Sequence, residues 1–297
     1  MGLDINALPV LGLGASLSLS SQPDPVKLVN KHGGPGFVEY AGLVDVDQVI
    51  NEVDRIREAG ASILYHPSYI NFCGSHANSS SWLKATALHV EKVGSPWFAQ
   101  DCAYCFWKEG PGYSTSLGYF IPPIFNRSSL ALAIDRVREV QDSVPVPIAI
   151  EPPPFSFVAG TMPLFSFFAE LSEATDAAIL LDMGHLVSWE MASGEKVTEH
   201  LDELPCERVI EVHVAGGQLK KGEQGPIYID AHESTILEPT WKMLETMLPH
   251  LPNLRAVCFE CEGVEENRVM STLEEVRTAV KSHSASESLL SCLEQQA

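Results

Sequence analysis

Seven short apolar runs in this chain end on, or within one residue of, a side chain that binds metal or moves protons. They are Glu39 in "GFVEY", His66 in "SILYH", Asp101 in "PWFAQD", Glu151 in "PIAIE", Asp182 in "AAILLD", His213 in "RVIEVH" and Glu260 in "RAVCFE". All are Asp, Glu or His, never Lys, Arg, Ser or Thr. An ionised carboxylate at the end of a buried run is costly unless it is paired, hydrogen-bonded or bound to metal. Carboxylates and imidazoles crowded together without cations need a divalent metal to stay ionised. Mixed oxygen and imidazole donors suit iron, manganese, zinc or cobalt rather than magnesium, calcium or a structural thiolate zinc.

Three further residues stand near the ring. "YIDAHES" supplies Asp230 and His232, two apart and so on one face if the segment is extended. His185 lies three residues beyond Asp182 in "ILLDMGHL", within reach of the same cluster. The rival metal site is a pair of CxxC spacings, Cys102–Cys105 and Cys258–Cys261, but both sit at the ends of apolar strands and lack the glycine of a tight knuckle. Buried free thiols are the expected reading. His89, in "ALHVEKV", reads as a helix-surface residue, and His32 and His76 as loop residues.

The ring requires elements that bring distant strand ends together. An eighth apolar run, "PVLGLGA" at 9–15, completes a series in which strand-like runs alternate with segments of helical period. One such segment, "SLALAIDRVREVQD", aligns Leu130, Ile134, Val137 and Val140 in a stripe. Eight strands alternating with helices predict an α/β protein, a (β/α)₈ TIM barrel whose strand C-termini share one mouth. The competing doubly wound sheet would want a glycine-rich phosphate loop after the first strand, and "GLGASLS" offers only GxG. One barrel domain is expected over residues 1–283, followed by a polar tail at 284–297.

The 297 residues carry 39 acidic against 19 basic side chains, a net charge of −20. That surface repels phosphate backbones and anionic lipid, so neither nucleic acid nor membrane is an expected partner. No apolar run reaches the roughly 18 residues of a membrane span. Seven scattered cysteines and an N-terminus without a basic n-region point to a reducing cytoplasm.

"IPPIFN", "AIDRVREVQDSVPVPIAIEPPPF", "FFAELSEATDAAILLDMGHL", "VIEVHVAGG" and "IDAHES" resemble, in order and spacing, the multinuclear non-haem iron-dependent oxidative enzymes. That family includes the oxygenases of methanobactin and 3-thiaglutamate biosynthesis, and the resemblance runs over about residues 9 to 263. It implies a xylose isomerase-like barrel with two or three irons in its mouth, oxidising a substrate with dioxygen. Glu151, Asp182, His213 and Glu260 stand at the family's strand-end ligand positions, His66 at its early His, and Asp230 and His232 at its Asp–x–His pair. His185 takes the place of a family Asn. The chain departs from the pattern at Ala41 and Gly217, where the family has His, at Cys102 in its acid–His pair, at Pro152 in place of Asn, and in lacking the early Arg and His. This marks a divergent member.

The resemblance thus implies an iron-dependent oxidase or oxygenase acting on a thiol- or amine-bearing small molecule or peptide. Glu151 would bridge two irons, one held by His66 and the other by Asp182, His213 and Glu260. His185, Asp230 and His232 would hold a third ion or join Asp101 as acid–base groups. A separate protein would present a peptide substrate. The alternatives are a manganese-dependent sugar isomerase or epimerase, for which no catalytic Lys stands at a strand end, and a degenerate barrel that binds metal without turnover.

Overall fold

The computed structural model describes residues 3–41, 45–106, 116–222 and 225–296. Its strands are β1 (Gly12–Ser16), β2 (Phe37–Tyr40), β3 (Ser62–Tyr65), β4 (Phe98–Asp101), β5 (Tyr104–Phe106) and β6 (Ser116–Ile121). They continue with β7 (Ile148–Glu151), β8 (Ala178–Asp182), β9 (Val209–Ala215), β10 (Gly217–Lys221), β11 (Pro226–Asp230) and β12 (Ala256–Glu260). The helices are α1 (Pro25–Val29), α2 (Ile50–Glu58), α3 (Ser80–Val93), α4 (Arg127–Gln141), α5 (Leu164–Thr175), α6 (Met183–Ser193), α7 (Glu238–Met247), α8 (Glu266–His283) and α9 (Glu287–Gln295).

Eight strands close into a parallel barrel in the order β1-β12-β9-β8-β7-β4-β3-β2. These are the eight apolar runs of the sequence, six of them trimmed by a residue or two, while β1 is shifted to Gly12–Ser16 and β9 runs on to Ala215. Their register brings the ionisable ends to a common level. Ser16 pairs with both Glu260 and Glu39, Asp101 with Glu151, and Asp182 with His213. Side chains alternate along a strand, so the residue two positions earlier also points inward. There the barrel is apolar but for Glu211: Phe37, Leu64, Ala99, Ala149, Leu180 and Cys258 form one buried cluster. Large and small side chains must interdigitate to fill so narrow a tube. Gly14 belongs to this fit, since a Cβ there would stand 2.4 Å from the Phe37 ring.

The helices pack outside. In α4 the buried stripe is Leu130, Ala133, Val137 and Val140, with Ile134 partly buried at its edge. Asn126 caps the helix by accepting from the Ser129 N–H at 2.9 Å. The aromatic run of α5 buries Phe165, Phe167 and Phe168 against the barrel.

Two hairpins, β5–β6 and β10–β11, interrupt the alternation and were not legible in the sequence. "GQLKK" has no apolar run because its residues after Gly217 are exposed. The segment after His283 also differs from a polar tail. It folds as α9, burying Leu289 and Leu293. Gln296 then reaches the barrel base, accepting from the Leu13 N–H at 3.1 Å and donating to the Leu11 carbonyl at 2.8 Å. Two leucines at helical spacing inside a polar nine-residue helix are too sparse a signal to read. Among the described residues no helix is long and apolar enough to cross a membrane.

Leu289→Ala should lower unfolding free energy by about 2–5 kcal/mol, as large-to-small core changes do, measured by urea titration. An unchanged midpoint would mean that α9 does not belong to the core.

Candidate metal centre

Ten side chains converge at the mouth in four overlapping groups whose ligand atoms lie within 4.8 Å of one another. The groups are Glu39, His66, His213 and Glu260; His66, Asp101 and Glu151; Glu151, Asp182 and His185; and Asp230, His232 and Glu260. All eight expected ligands are present. So is Asp101, expected as an acid–base group, and Glu39, a strand-end residue of the sequence ring that the resemblance did not mark as a ligand. His66, Glu151 and Glu260 each belong to two groups. The partition differs from the expected one: Asp182 falls with Glu151 and His185 rather than with His213 and Glu260. None of the groups contains a cysteine, so the CxxC zinc reading has no support among the described residues.

The stretch "LDMGHL" serves as turn and site together. Asp182 caps α6, its Oδ1 accepting from the His185 N–H at 2.6 Å, while its Oδ2 is left without a hydrogen-bond partner. The helical turn lifts the His185 ring over the mouth. Its Nδ1 lies 3.0 Å from Glu151 Oε1 and 2.8 Å from the Pro152 carbonyl, and its Nε2 lies 3.3 Å from Asp230 Oδ2. Gly184 gives the clearance: a Cβ there would come within 2.7 Å of the Tyr228 hydroxyl.

Asp230 and His232 meet by a different route from the one the spacing suggested. β11 ends at Asp230, and His232 adopts a left-handed φ of 46°, rare for a non-glycine residue. The bend, not an extended face, returns its ring toward the mouth. There His232 Nε2 lies 3.3 Å from Asp230 Oδ2 and 3.6 Å from Glu260 Oε2, and its Nδ1 is 2.6 Å from Glu262 Oε2. Strained backbone of this kind clusters at functional sites. Glu262, which also accepts from Ser16, was missed in the sequence because it lies in a loop. Glu211 was missed too. It sits one layer below the ring, fully buried, accepting from Trp97 Nε1 at 2.6 Å and 3.5 Å from His213 Nε2.

The donor set fits a cluster of cations. Glu39 Oε2, His66 Nε2, Asp101 Oδ1, both Glu151 oxygens, Asp182 Oδ2, both His213 nitrogens, Asp230 Oδ1 and Glu260 Oε2 are buried without a hydrogen-bond partner. Buried polar atoms are rarely left so, and a concentration of them marks a missing ligand or ion. The four groups hold six carboxylates and four imidazoles. Three divalent ions would balance the carboxylate charge.

Without metal the balance falls to protons. Burial disfavours charge on every member, but neighbours reverse it for most. Glu39 ends below the usual carboxylate range because of His213 and His66, and Glu151 falls to about 2 beside His185 and His66. Asp230 is lowered by His185 and His232. The carboxylates in turn raise His66, His185 and His213 well above the usual imidazole value, and His232 to about 12. Asp182 and Glu211 are each pushed up to about 7, chiefly by burial. Asp101 is raised by burial and then by the Glu151 charge.

These features define a class: a parallel barrel whose mouth gathers carboxylates and imidazoles in groups able to hold metal. Residues 39–282 match the family described as RiPP precursor modification enzyme MbnB/TglH/ChrH, and the chain belongs to it. A UPF0276 protein of Streptomyces avermitilis is 27% identical over 247 residues, covering 81% of this chain and 49% of its own length. The chain thus spans about half the length of the curated relatives it matches. Among solved structures, a xylose isomerase domain protein from Planctomyces limnophilus superposes with a TM-score of 0.61 at 12% identity, covering 93% of this chain and 99% of the other. A xylose isomerase-like TIM barrel protein from Mycobacterium smegmatis in complex with magnesium gives 0.55 at 12% identity, covering 97% and 99%. The barrel is therefore of the xylose isomerase-like type.

A pH dependence follows. Asp182 and Glu211 have folded values above their unfolded ones, so each costs stability as pH rises from its ordinary value, 3.8 or 4.5, toward about 7. The raised histidines act in the same direction, their contribution being lost as pH climbs through their folded values. Metal binding needs deprotonated ligands and releases the protons held there. The rise in melting temperature on adding Mn²⁺ or anaerobic Fe²⁺ should therefore be larger at about pH 8 than at about pH 6, with proton release measurable in weak buffer. A shift independent of pH would contradict the assignment.

Proposed function

We propose that the chain is a metal-dependent oxidase or oxygenase that uses iron and dioxygen to modify a thiol- or amine-bearing peptide or small molecule. The observation that carries this reading is the sharing of His66, Glu151 and Glu260 between neighbouring ligand groups. Shared donors hold ions side by side, whereas a single-ion site needs one self-contained set. Iron bound there would supply the reduction of dioxygen, the difficult chemistry belonging to the metal.

The protein's own residues would do the rest. Glu151 would hold iron through both of its oxygens, and His66 would hold one ion through a ring nitrogen. Asp101, whose carboxyl is pushed up by burial and then by the Glu151 charge, is the group of the ring placed to take up a proton at its edge. Asp230 Oδ2, between His185 Nε2 and His232 Nε2 at 3.3 Å each, is placed to pass a proton between them. Glu262 orients His232 through Nδ1 in the way an outer carboxylate fixes a ligating imidazole.

The surroundings favour a peptide over a sugar. Beside Tyr228 a cavity of about 270 Å³ is lined by Phe155, Ser188, Met191 and Ile227. Of the six exposed large hydrophobic residues among those described, Tyr119, Ile124, Phe157, Leu219 and Ile227 lie in the connections that leave the mouth ends of β4, β7 and β9. Such a rim suits an apolar peptide segment, presented by a separate protein, better than a polyol. Peptide modification also agrees with the family. The sugar isomerase or epimerase reading draws on the shared barrel type. It wants Glu151, Asp182, His213 and Glu260 around one ion, and here they divide between groups.

Protein loaded anaerobically with iron should consume dioxygen when given a cysteine-containing peptide, with Mössbauer spectra showing more than one iron. Glu151→Ala, removing a donor from two groups, should lose most of the bound iron rather than one ion's share. No uptake above protein-free iron would end the oxidase reading. Interconversion of a ketohexose by the manganese form would install the isomerase instead.

A further inference from the structure

His89 does not lie on a helix surface, as its place in "ALHVEKV" suggested, but is fully buried on the inner face of α3. The apolar period of α3 is blurred by polar residues, and the histidine was assigned to the wrong side. What it meets is a group of tyrosines. Tyr40 and Tyr65 are the last residues of β2 and β3, paired in register and turned away from the mouth. Each is peptide-bonded to a mouth residue, Tyr40 to Glu39 and Tyr65 to His66. Their rings stand 5.4 Å apart. His89 stacks on Tyr65 at 3.9 Å and 7°, and its Nε2 lies 2.6 Å from the Tyr40 hydroxyl.

The series continues outward. Tyr65 and Tyr69 share a hydroxyl contact of 2.9 Å, and Tyr69 meets Trp82 edge to face at 5.5 Å. Tyr69 and Trp82 are only partly buried, so the series runs from the metal ring to solvent. Phenylalanine would pack as well at Tyr40 and Tyr65 without two buried hydroxyls to satisfy. The side chains present are instead those that give up an electron, with a histidine nitrogen at the Tyr40 phenol. A phenol that gives up an electron must also give up its proton, and His89 Nε2 stands 2.6 Å from the Tyr40 hydroxyl to take it.

We propose that Tyr40, Tyr65, Tyr69 and Trp82 form a hole-transfer chain that carries an oxidising equivalent from the barrel mouth to the surface, with His89 as proton acceptor for Tyr40. The proposal rests on reading the mouth as a dioxygen-reducing metal centre. One electron passes from Tyr40 to the oxidised centre, and the phenolic proton moves to His89 Nε2, leaving a neutral tyrosyl radical and an imidazolium. An electron from Tyr65 refills Tyr40, which recovers its proton from His89, while the Tyr65 phenolic proton shifts to the Tyr69 oxygen across their 2.9 Å contact. Tyr69 then returns that proton with an electron, and its own phenolic proton leaves to water at the partly exposed end of the series. Trp82 gives an electron to Tyr69, which takes a proton back from water, and the indole N–H proton goes to water until Trp82 is reduced. A thiol in solution reduces Trp82, each thiol losing one electron and one proton, and two of the resulting thiyl radicals join as a disulfide. The chain would spare the ring when dioxygen is reduced with no substrate in place.

The test needs no metal in the protein. Photogenerated ruthenium(III) tris-bipyridine, used on the metal-free chain, should oxidise Trp82 and yield a neutral tyrosyl radical seen by EPR, forming more slowly in D₂O. Tyr40→Phe should lower the radical yield severalfold, and Trp82→Phe should slow its formation severalfold, with melting temperatures checking the fold. If Tyr40→Phe does not fold, Trp82→Phe and Tyr69→Phe decide the matter. Yield and rate unchanged in these variants would overturn the chain. Failure of the protein to take up iron would end the dioxygen reading instead, and leaves the radical yields as a separate result.

Discussion

Six carboxylates packed into the closed end of a barrel repel one another, and the rest of the molecule is arranged around that repulsion. Glu39, Glu151 and Asp182 are essentially without solvent contact, so water cannot screen them. The barrel register sets the ionisable ends at one height. The layer beneath them, from Phe37 to Cys258, is mostly apolar; its polar groups are Glu211, held by Trp97, and the Cys258 thiol, which donates to Glu39 Oε1 at 3.8 Å. Imidazoles from β3, β9, α6 and the β11 loop are interleaved with the acids. In the metal-free protein they carry protons and neutralise the ring at the cost of their own burial. Divalent ions do this with fewer bodies, two charges each, and satisfy the orphaned atoms at the same time.

Much of this was legible in the sequence because strand ends carry a strong signal. An apolar run broken by Asp, Glu or His is visible residue by residue, and seven such breaks fixed both the barrel and the ring. What escaped lacked such a run. Glu262 sits in a loop, the hairpins are polar on one side, and α9 buries only two leucines. Glu211 lies inside "RVIEVH" as an acid in mid-strand, a signal present in the sequence but passed over. The partition of ligands was not readable, because it depends on which strands face one another across the mouth.

The departures from the family pattern acquire a physical sense. Ala41 is exposed beyond β2, while Glu39, two residues earlier, faces His213 at 3.2 Å. Gly217 opens β10, where a Cβ would meet the Tyr228 hydroxyl at 2.4 Å, so the tyrosine fills the room a second His would need. Cys102 is buried with its thiol toward the Phe72 carbonyl, away from the ring. Against these losses stand His185 in place of an Asn, and Glu262 supporting His232. The donor set has been redistributed rather than emptied.

The central claim is that this mouth holds more than one divalent ion through shared side chains. Anomalous diffraction at the metal edge, from crystals grown with Mn²⁺ or anaerobic Fe²⁺, tests it most directly. The account predicts at least two peaks inside the ring, adjacent ones both within reach of Glu151 or Glu260. A single peak held by one self-contained set, or none in the mouth, would contradict it.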